Sequence, residues 1–135
     1  MKRTRLLNSE LSYEIARMGH TAFITLCDAG LPIPAGVKRV DLAIERGYPS
    51  FIRTLDALLS EMMVEEIVVA REIHAKNPDV FREMMELFRL HKMEPRVTEV
   101  PHDEFKALTR SSEAIVRTGE CTPYANVILK SGVVF

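Results

Sequence analysis

The chain has 135 residues, with 18 basic against 19 acidic side chains and a formal charge of −1, so no excess of positive charge calls for nucleic acid or an anionic membrane as a partner. Apolar residues make up 47% and charged residues 27%, the balance of a globular chain and not of a disordered one. Aromatic residues are 7%, with no Trp, which is thin for a base-stacking platform, and no apolar run approaches the ~20 residues a membrane helix needs.

A chain of this size buries roughly two thirds of its unfolded surface, enough for one core, and a single domain over 1–135 is expected. The start, Met1 to Asn8, is basic but has no long apolar stretch behind it. No signal peptide is read there, and a cytoplasmic protein is expected. The first predicted helix runs from about Ser9 to Met18, with Ser9 as its cap. Leu11, Ile15 and Met18 share its apolar face, and Gly19 is expected as the left-handed residue after its end. Phe23 to Cys27 reads as a buried strand ending at Asp28. Pro32 and Pro34 fix an extended loop from Gly30 to Gly36, and Val37 to Glu45 is ambiguous.

A second helix is predicted from Pro49 or Ser50 to Met62, because Phe51, Leu55, Leu58, Leu59 and Met62 recur at helical spacing. Ile67 to Ala70 is a β-branched run and a predicted strand. Asn77-Pro78-Asp79 reads as a helix start, with a capping amide, proline at the first position and an acid at the positive dipole end. Phe81, Met84, Met85 and Phe88 form the apolar face of that helix, which fades by Lys92. Strands follow at Arg96 to Val100, Ala114 to Val116 and Val127 to Leu129, with a short helix at Asp103 to Leu108. The alternation predicts an α/β three-layer sandwich, a mainly parallel sheet flanked by helices. In such sheets ligands sit at the carboxyl ends of strands, where Asp28 lies.

Chemistry-bearing residues fall on the turns. His20 can donate and accept protons near neutrality, although its position alone suits a helix-end or turn role. Asp28 can orient an imidazole, accept hydroxyl hydrogen bonds, or close an Asx turn on its own backbone. His102 is a ligand contact or a helix-start residue. Lys106, one turn further on, reads as a solvated lysine. Tyr124 and Asn126, read as i and i+2 of an extended segment, would point the same way and clamp hydroxyls, or else belong to a packed turn. His74 and His91 read as helix-end surface residues. The Met pairs at 62–63 and 84–85 are read as core filling. Cys27 and Cys121 have neither metal-ligand nor disulfide spacing and read as small buried hydrophobes. No phosphate-binding glycine loop, GxSxG elbow or zinc spacing is present.

Leu7-Asn8-Ser9, Gly19-His20-Thr21 and Cys27-Asp28-Ala29-Gly30-Leu31-Pro32-Ile33-Pro34 resemble the D-ribose pyranase family. Pro49-Ser50-Phe51, Glu61-Met62 and Gly119 to Asn126 extend the resemblance along the chain, while about Glu72 to Glu99 match loosely. Related fucose mutarotases share the Gly-His pair and have a Tyr-Gly-Asn variant of the last motif. Ala125 and the Ala-Gly-Leu-Pro after Asp28 favour the ribose branch.

The resemblance implies an isomerase that interconverts pyranose and furanose forms of D-ribose in the cytoplasm. It implies His20 as the catalytic proton-transfer residue and sugar contacts from Asp28, His102, Tyr124, Ala125 and Asn126. It also implies a ring-shaped homo-oligomer, typically a decamer, and no cofactor or metal. The alternatives are a mutarotase for another sugar such as fucose, or a non-catalytic sugar-binding subunit linked to uptake. One further expectation is geometric. A straight strand from Phe23 to Cys27 spans about 16 Å at ~3.3 Å per residue. That would set His20 and Asp28 too far apart to grip one pentose, so the site is expected to be completed across a subunit interface or by a bent segment.

Overall fold

The computed structural model describes residues 1–135. In chain order its elements are α1 (Ser9–Arg17), β1 (Phe23–Cys27), β2 (Lys38–Asp41), α2 (Phe51–Leu59), β3 (Val64–Ala70), α3 (Ile73–Lys76), α4 (Pro78–Leu90), β4 (Arg96–Val100), α5 (His102–Leu108), a 3-10 turn (Thr109–Ser111), β5 (Ala114–Arg117) and β6 (Val127–Ser131). The strands form one sheet in the order β2-β5-β1-β6-β3-β4. β1, β2 and β5 pair in parallel, as do β3 and β4, while β6 runs antiparallel to both β1 and β3. The expected mainly parallel sheet is therefore present, with one reversed strand at its centre.

Alternation along the strands divides the core. Ile24, Leu26, Ile67, Val69, Val116 and Leu129 face one side, where they meet Leu11 of α1, Phe51, Leu55 and Leu58 of α2, and Met84 and Phe88 of α4. Cys27, Val68, Ala70, Val100, Ile115 and Ile128 face the other side, under Phe105 of α5 and Leu31 of the proline loop. This second layer is smaller, 8 buried residues against 22. At ~1.5–3 kcal/mol for each large side chain withdrawn from water, the helical face carries most of the burial. Where α5 stops, the second face turns polar. Glu66 of β3 accepts from Arg96 (2.6 Å) and Thr98 (2.7 Å) of β4 and from Lys130 (3.4 Å) of β6. The Arg96 guanidinium, then the Thr98 hydroxyl, hold the Glu66 carboxyl down at about 2.

Several local expectations are corrected. Asn8, not Ser9, caps α1, its side chain accepting from Leu11 N at 3.0 Å. Gly19 does not take the left-handed conformation; Thr21 does, at φ 68°. α2 ends at Leu59, short of Met62, which is nonetheless buried; Ser50 is its cap, accepting from Arg53 N–H at 3.2 Å. Pro78 opens α4 as predicted, but the Asn77 amide caps nothing. It donates to Thr122 Oγ1 (2.8 Å) and to the Pro123 carbonyl (2.9 Å), tying a distant loop down. Met63 lies at the surface, unlike Met84 in the core. Cys27 is buried as expected, and burial pushes its thiol up to about 12. Cys121 is exposed, against expectation.

Candidate active site

The carboxyl ends of β1 and β4 and the amino end of reversed β6 lie along one edge of the sheet, because β6 runs opposite to its neighbours. Asp28 follows β1, His102 begins α5 just after β4, and Tyr124, Ala125 and Asn126 lead into β6. The reversed strand thus delivers its amino end to the edge where parallel strands end, the usual ligand edge of such sheets.

Asp28 and Asn126 are locked as a reciprocal pair. Asn126 Nδ2 donates to Asp28 Oδ2 (2.9 Å), and the Asp28 backbone N–H donates to Asn126 Oδ1 (2.9 Å). The expected Asx turn also forms, with Gly30 N–H donating to Asp28 Oδ1 at 3.0 Å. A carboxylate has about four lone-pair sites, so two remain for hydroxyl donors. His102 and Tyr124 make a second pair, rings edge to face with centroids 5.0 Å apart. The main-chain N–H of His102 donates to Glu72 Oε1 at 3.1 Å, while His102 Nδ1 is buried with no hydrogen-bond partner.

The segment carrying Tyr124 and Asn126 is not extended, contrary to expectation. Tyr124 is left-handed at φ 57°, and Asn126 N–H donates back to the Tyr124 carbonyl at 2.8 Å. This tight turn sends Tyr124 to His102 and Asn126 to Asp28. Ala125, at its apex, is wholly buried within the protomer.

Glu120, which sequence reasoning quoted but did not single out, organises this loop. Its Oε1 accepts from the N–H groups of Cys121 and Thr122 (both 3.1 Å) and from the Thr122 hydroxyl (2.9 Å). Its Oε2 accepts from Phe51 N–H at the start of α2 (3.2 Å), and its carbonyl accepts from Ala29 N–H (2.8 Å). Gly119 beside it lies so close to the Glu45 and Tyr48 carbonyls that a Cβ would meet them at 2.5 and 2.3 Å, so no side chain fits there. The result is a cleft of about 470 Å³ lined in part by Asp28, Arg46, Glu120 and Thr122.

His20 stands elsewhere. It follows α1 at the amino end of β1, the opposite edge of the sheet from Asp28, and within one protomer it touches none of the other candidates. The left-handed Thr21 donates its N–H to the Ser131 carbonyl (2.9 Å), which pins the His20 turn to the far end of β6. The imidazole is half exposed, and its Nε2 lies 2.8 Å from Glu65 Oε2. Around it opens a second cleft, of about 380 Å³, walled by Met18, Met62, Met63 and the apolar residues Val133 to Phe135. The remaining histidines are paired at the surface or near it. His74 bonds Glu99 (2.7 Å), and the less exposed His91 bonds Asp56 (2.8 Å). Lys106 pairs with Asp103 at 2.8 Å, the solvated role expected of it.

Comparison with known proteins matches residues 1–134 to the RbsD / FucU transport protein family. Over its whole length the chain is 76% identical to the D-ribose pyranase of Rhodopirellula baltica and 54% identical to that of Aliivibrio fischeri, covering 100% of each. Among solved structures it superposes on Bacillus subtilis RbsD complexed with D-ribose with a TM-score of 0.93, at 43% identity and 100% coverage of both chains. It also superposes on the fucose mutarotase of Streptococcus pneumoniae in complex with L-fucose, with a TM-score of 0.83 at 25% identity, covering 95% of this chain and 94% of that one.

Proposed function

The chain belongs to the RbsD / FucU transport protein family, and from that premise we propose that it acts as a D-ribose pyranase, interconverting the pyranose and furanose forms of free D-ribose. The observation that carries this reading is full-length identity of 51–76% to proteins named D-ribose pyranase, against 25% to the fucose mutarotase. The same contrast favours ribose over fucose as substrate.

The chemistry asks little of a protein. In ring opening the anomeric hydroxyl loses its proton, the ring oxygen gains one, and the bond from C1 to the ring oxygen breaks to give the aldehyde. Reclosure through a different hydroxyl reverses each transfer and yields the other ring. In this reading His20 moves the protons, a step worth typically ~10²–10⁴-fold. Asp28, Asn126, Tyr124 and His102 hold hydroxyls, and buried Ala125 holds the turn between Tyr124 and Asn126. Asp28 is suited to this by its spare acceptor sites, Asn126 by its second amide hydrogen, and His102 by a ring nitrogen without a partner.

His20 and the four hydroxyl-holding side chains lie at opposite edges of the sheet, so the proposed site is shared, with His20 of one copy facing Asp28 of another. The chain then works as one domain over 1–135 in a ring-shaped homo-oligomer, which we take to be a decamer, in the cytoplasm and in ribose catabolism. No helix is long and apolar enough to cross a membrane.

Saturation-transfer NMR on ribose at equilibrium tests the proposal. Protein-dependent exchange between pyranose and furanose signals is expected, and His20→Ala should lower it by ~10²-fold or more. Ribose binding without any exchange would instead make the chain a sugar-binding subunit.

A further inference from the structure

Glu65 occupies a backbone irregularity. In the pairing of β3 with β6, Val64 faces Ser131 and Glu66 faces Lys130, so Glu65 is an extra residue on β3 with no partner on β6. Such a bulge bends the strand and re-aims one side chain, and bulges concentrate beside functional sites. Here the re-aimed side chain reaches His20. Glu65 Oε2 lies 2.8 Å from His20 Nε2, and Glu65 Oε1 lies 3.4 Å from Lys130 Nζ, so the two oxygens have separate partners. Gly132 lies against the bulge, where a Cβ would stand 3.2 Å from Glu65 Cβ and 3.4 Å from its backbone nitrogen. The same strand end, Ser131, receives the Thr21 N–H of the His20 turn. Imidazole and carboxylate are thus fixed to one short stretch of backbone from two sides.

Stability does not account for the contact. Both partners are exposed, so solvent screens their attraction and the pair adds little to stability. What the arrangement does settle is the imidazole's hydrogen placement. The hydrogen bond from His20 and the nearby Lys130 ammonium hold the Glu65 carboxyl below its ordinary range, so it is ionised and can only accept. Nε2 of His20 therefore carries the hydrogen, and Nδ1 is the free nitrogen.

We infer that Glu65 is the positioning residue of His20, fixing its ring orientation and its Nε2–H tautomer so that Nδ1 exchanges protons with the sugar. The inference rests on His20 being the proton-transfer residue proposed above. Glu65 itself touches no substrate.

Full-length protein in its native assembly, with D-ribose as the probe, tests this by exchange NMR together with imidazole ¹⁵N spectra. Glu65→Ala should lower kcat about tenfold with KM within about twofold, the scale of losing an outer partner that orients a reacting histidine. The ¹⁵N pattern of His20 should change from a single Nε2–H form to a mixture of tautomers. Glu65→Gln, whose amide oxygen still accepts from Nε2–H, should keep the single tautomer and recover most of kcat. Unchanged kcat in Glu65→Ala, a loss confined to KM, or an unaltered ¹⁵N pattern would overturn the inference while leaving the proposed function intact. Full exchange in His20→Ala would instead remove the assignment on which it stands.

Discussion

Asp28 takes part in three hydrogen bonds, one through each carboxylate oxygen and one through its own N–H. Two of the three end on Asn126, which is almost wholly buried. Asn126→Ala strips a partner from both the Asp28 carboxylate and its N–H, and groups left unpaired in this way cost about 1–3 kcal/mol. The unfolding free energy measured in urea is expected to fall by that amount, and KM for ribose to rise, because Asp28 is then free to rotate. An Asn126→Ala variant with unchanged midpoint and KM would show that the pair positions nothing. The sequence made some of these residues legible and hid others. Turn-borne His20, Asp28 and Asn126 stand out because imidazole, carboxylate and amide on loops are few. Glu65, Glu72 and Glu120 do not stand out, being acids among 19 acidic residues. What marks them is a partner supplied by another element: the His20 ring, the start of α5, and the N–H groups of a turn and of α2.

The elements most legible in the sequence are those whose own pattern matches their burial. β1, with four of its five residues buried, and the amphipathic α4 have the ends that periodicity predicts, to within two residues. β2 was ambiguous because it is an edge strand with only Val40 buried among Lys38, Arg39 and Asp41. α3 has four residues, too few for a period to register. The bulge in β3 left no trace either, since the predicted strand begins only at Ile67, two residues past Glu65. Acid sensitivity follows from Glu66, which joins β3, β4 and β6. Its folded-state value, about 2, lies below the ordinary 4.5, so its contribution is present above about pH 4.5 and is lost as pH falls towards 2. Glu66→Gln should therefore lower stability by about 1 kcal/mol at pH 6, with the gap to the parent closing near pH 2. Urea midpoints at the two pH values measure it, and a gap that widens in acid would contradict the assignment.

For the whole molecule, the separation of His20 from Asp28 leads to a complementation test. His20→Ala and Asp28→Ala proteins should each be inactive alone. Unfolded together and refolded as mixed assemblies, they should regain roughly a quarter of parental turnover, the share of two-chain sites that draw both intact residues by chance. No recovery in mixed assemblies would place both residues in one chain's site. The sheet order has a separate consequence for how the chain reaches its folded form. The strands fall into two sets, β2-β5-β1 and β3-β4, and β6 alone bridges them. It is also the last strand in sequence, paired with β1 from a hundred residues earlier. Neither set can be zipped to the other until residues 127–131 arrive. Sheet closure is therefore a late, long-range event, with the slow kinetics that follow when distant segments must find each other before any contact rewards them.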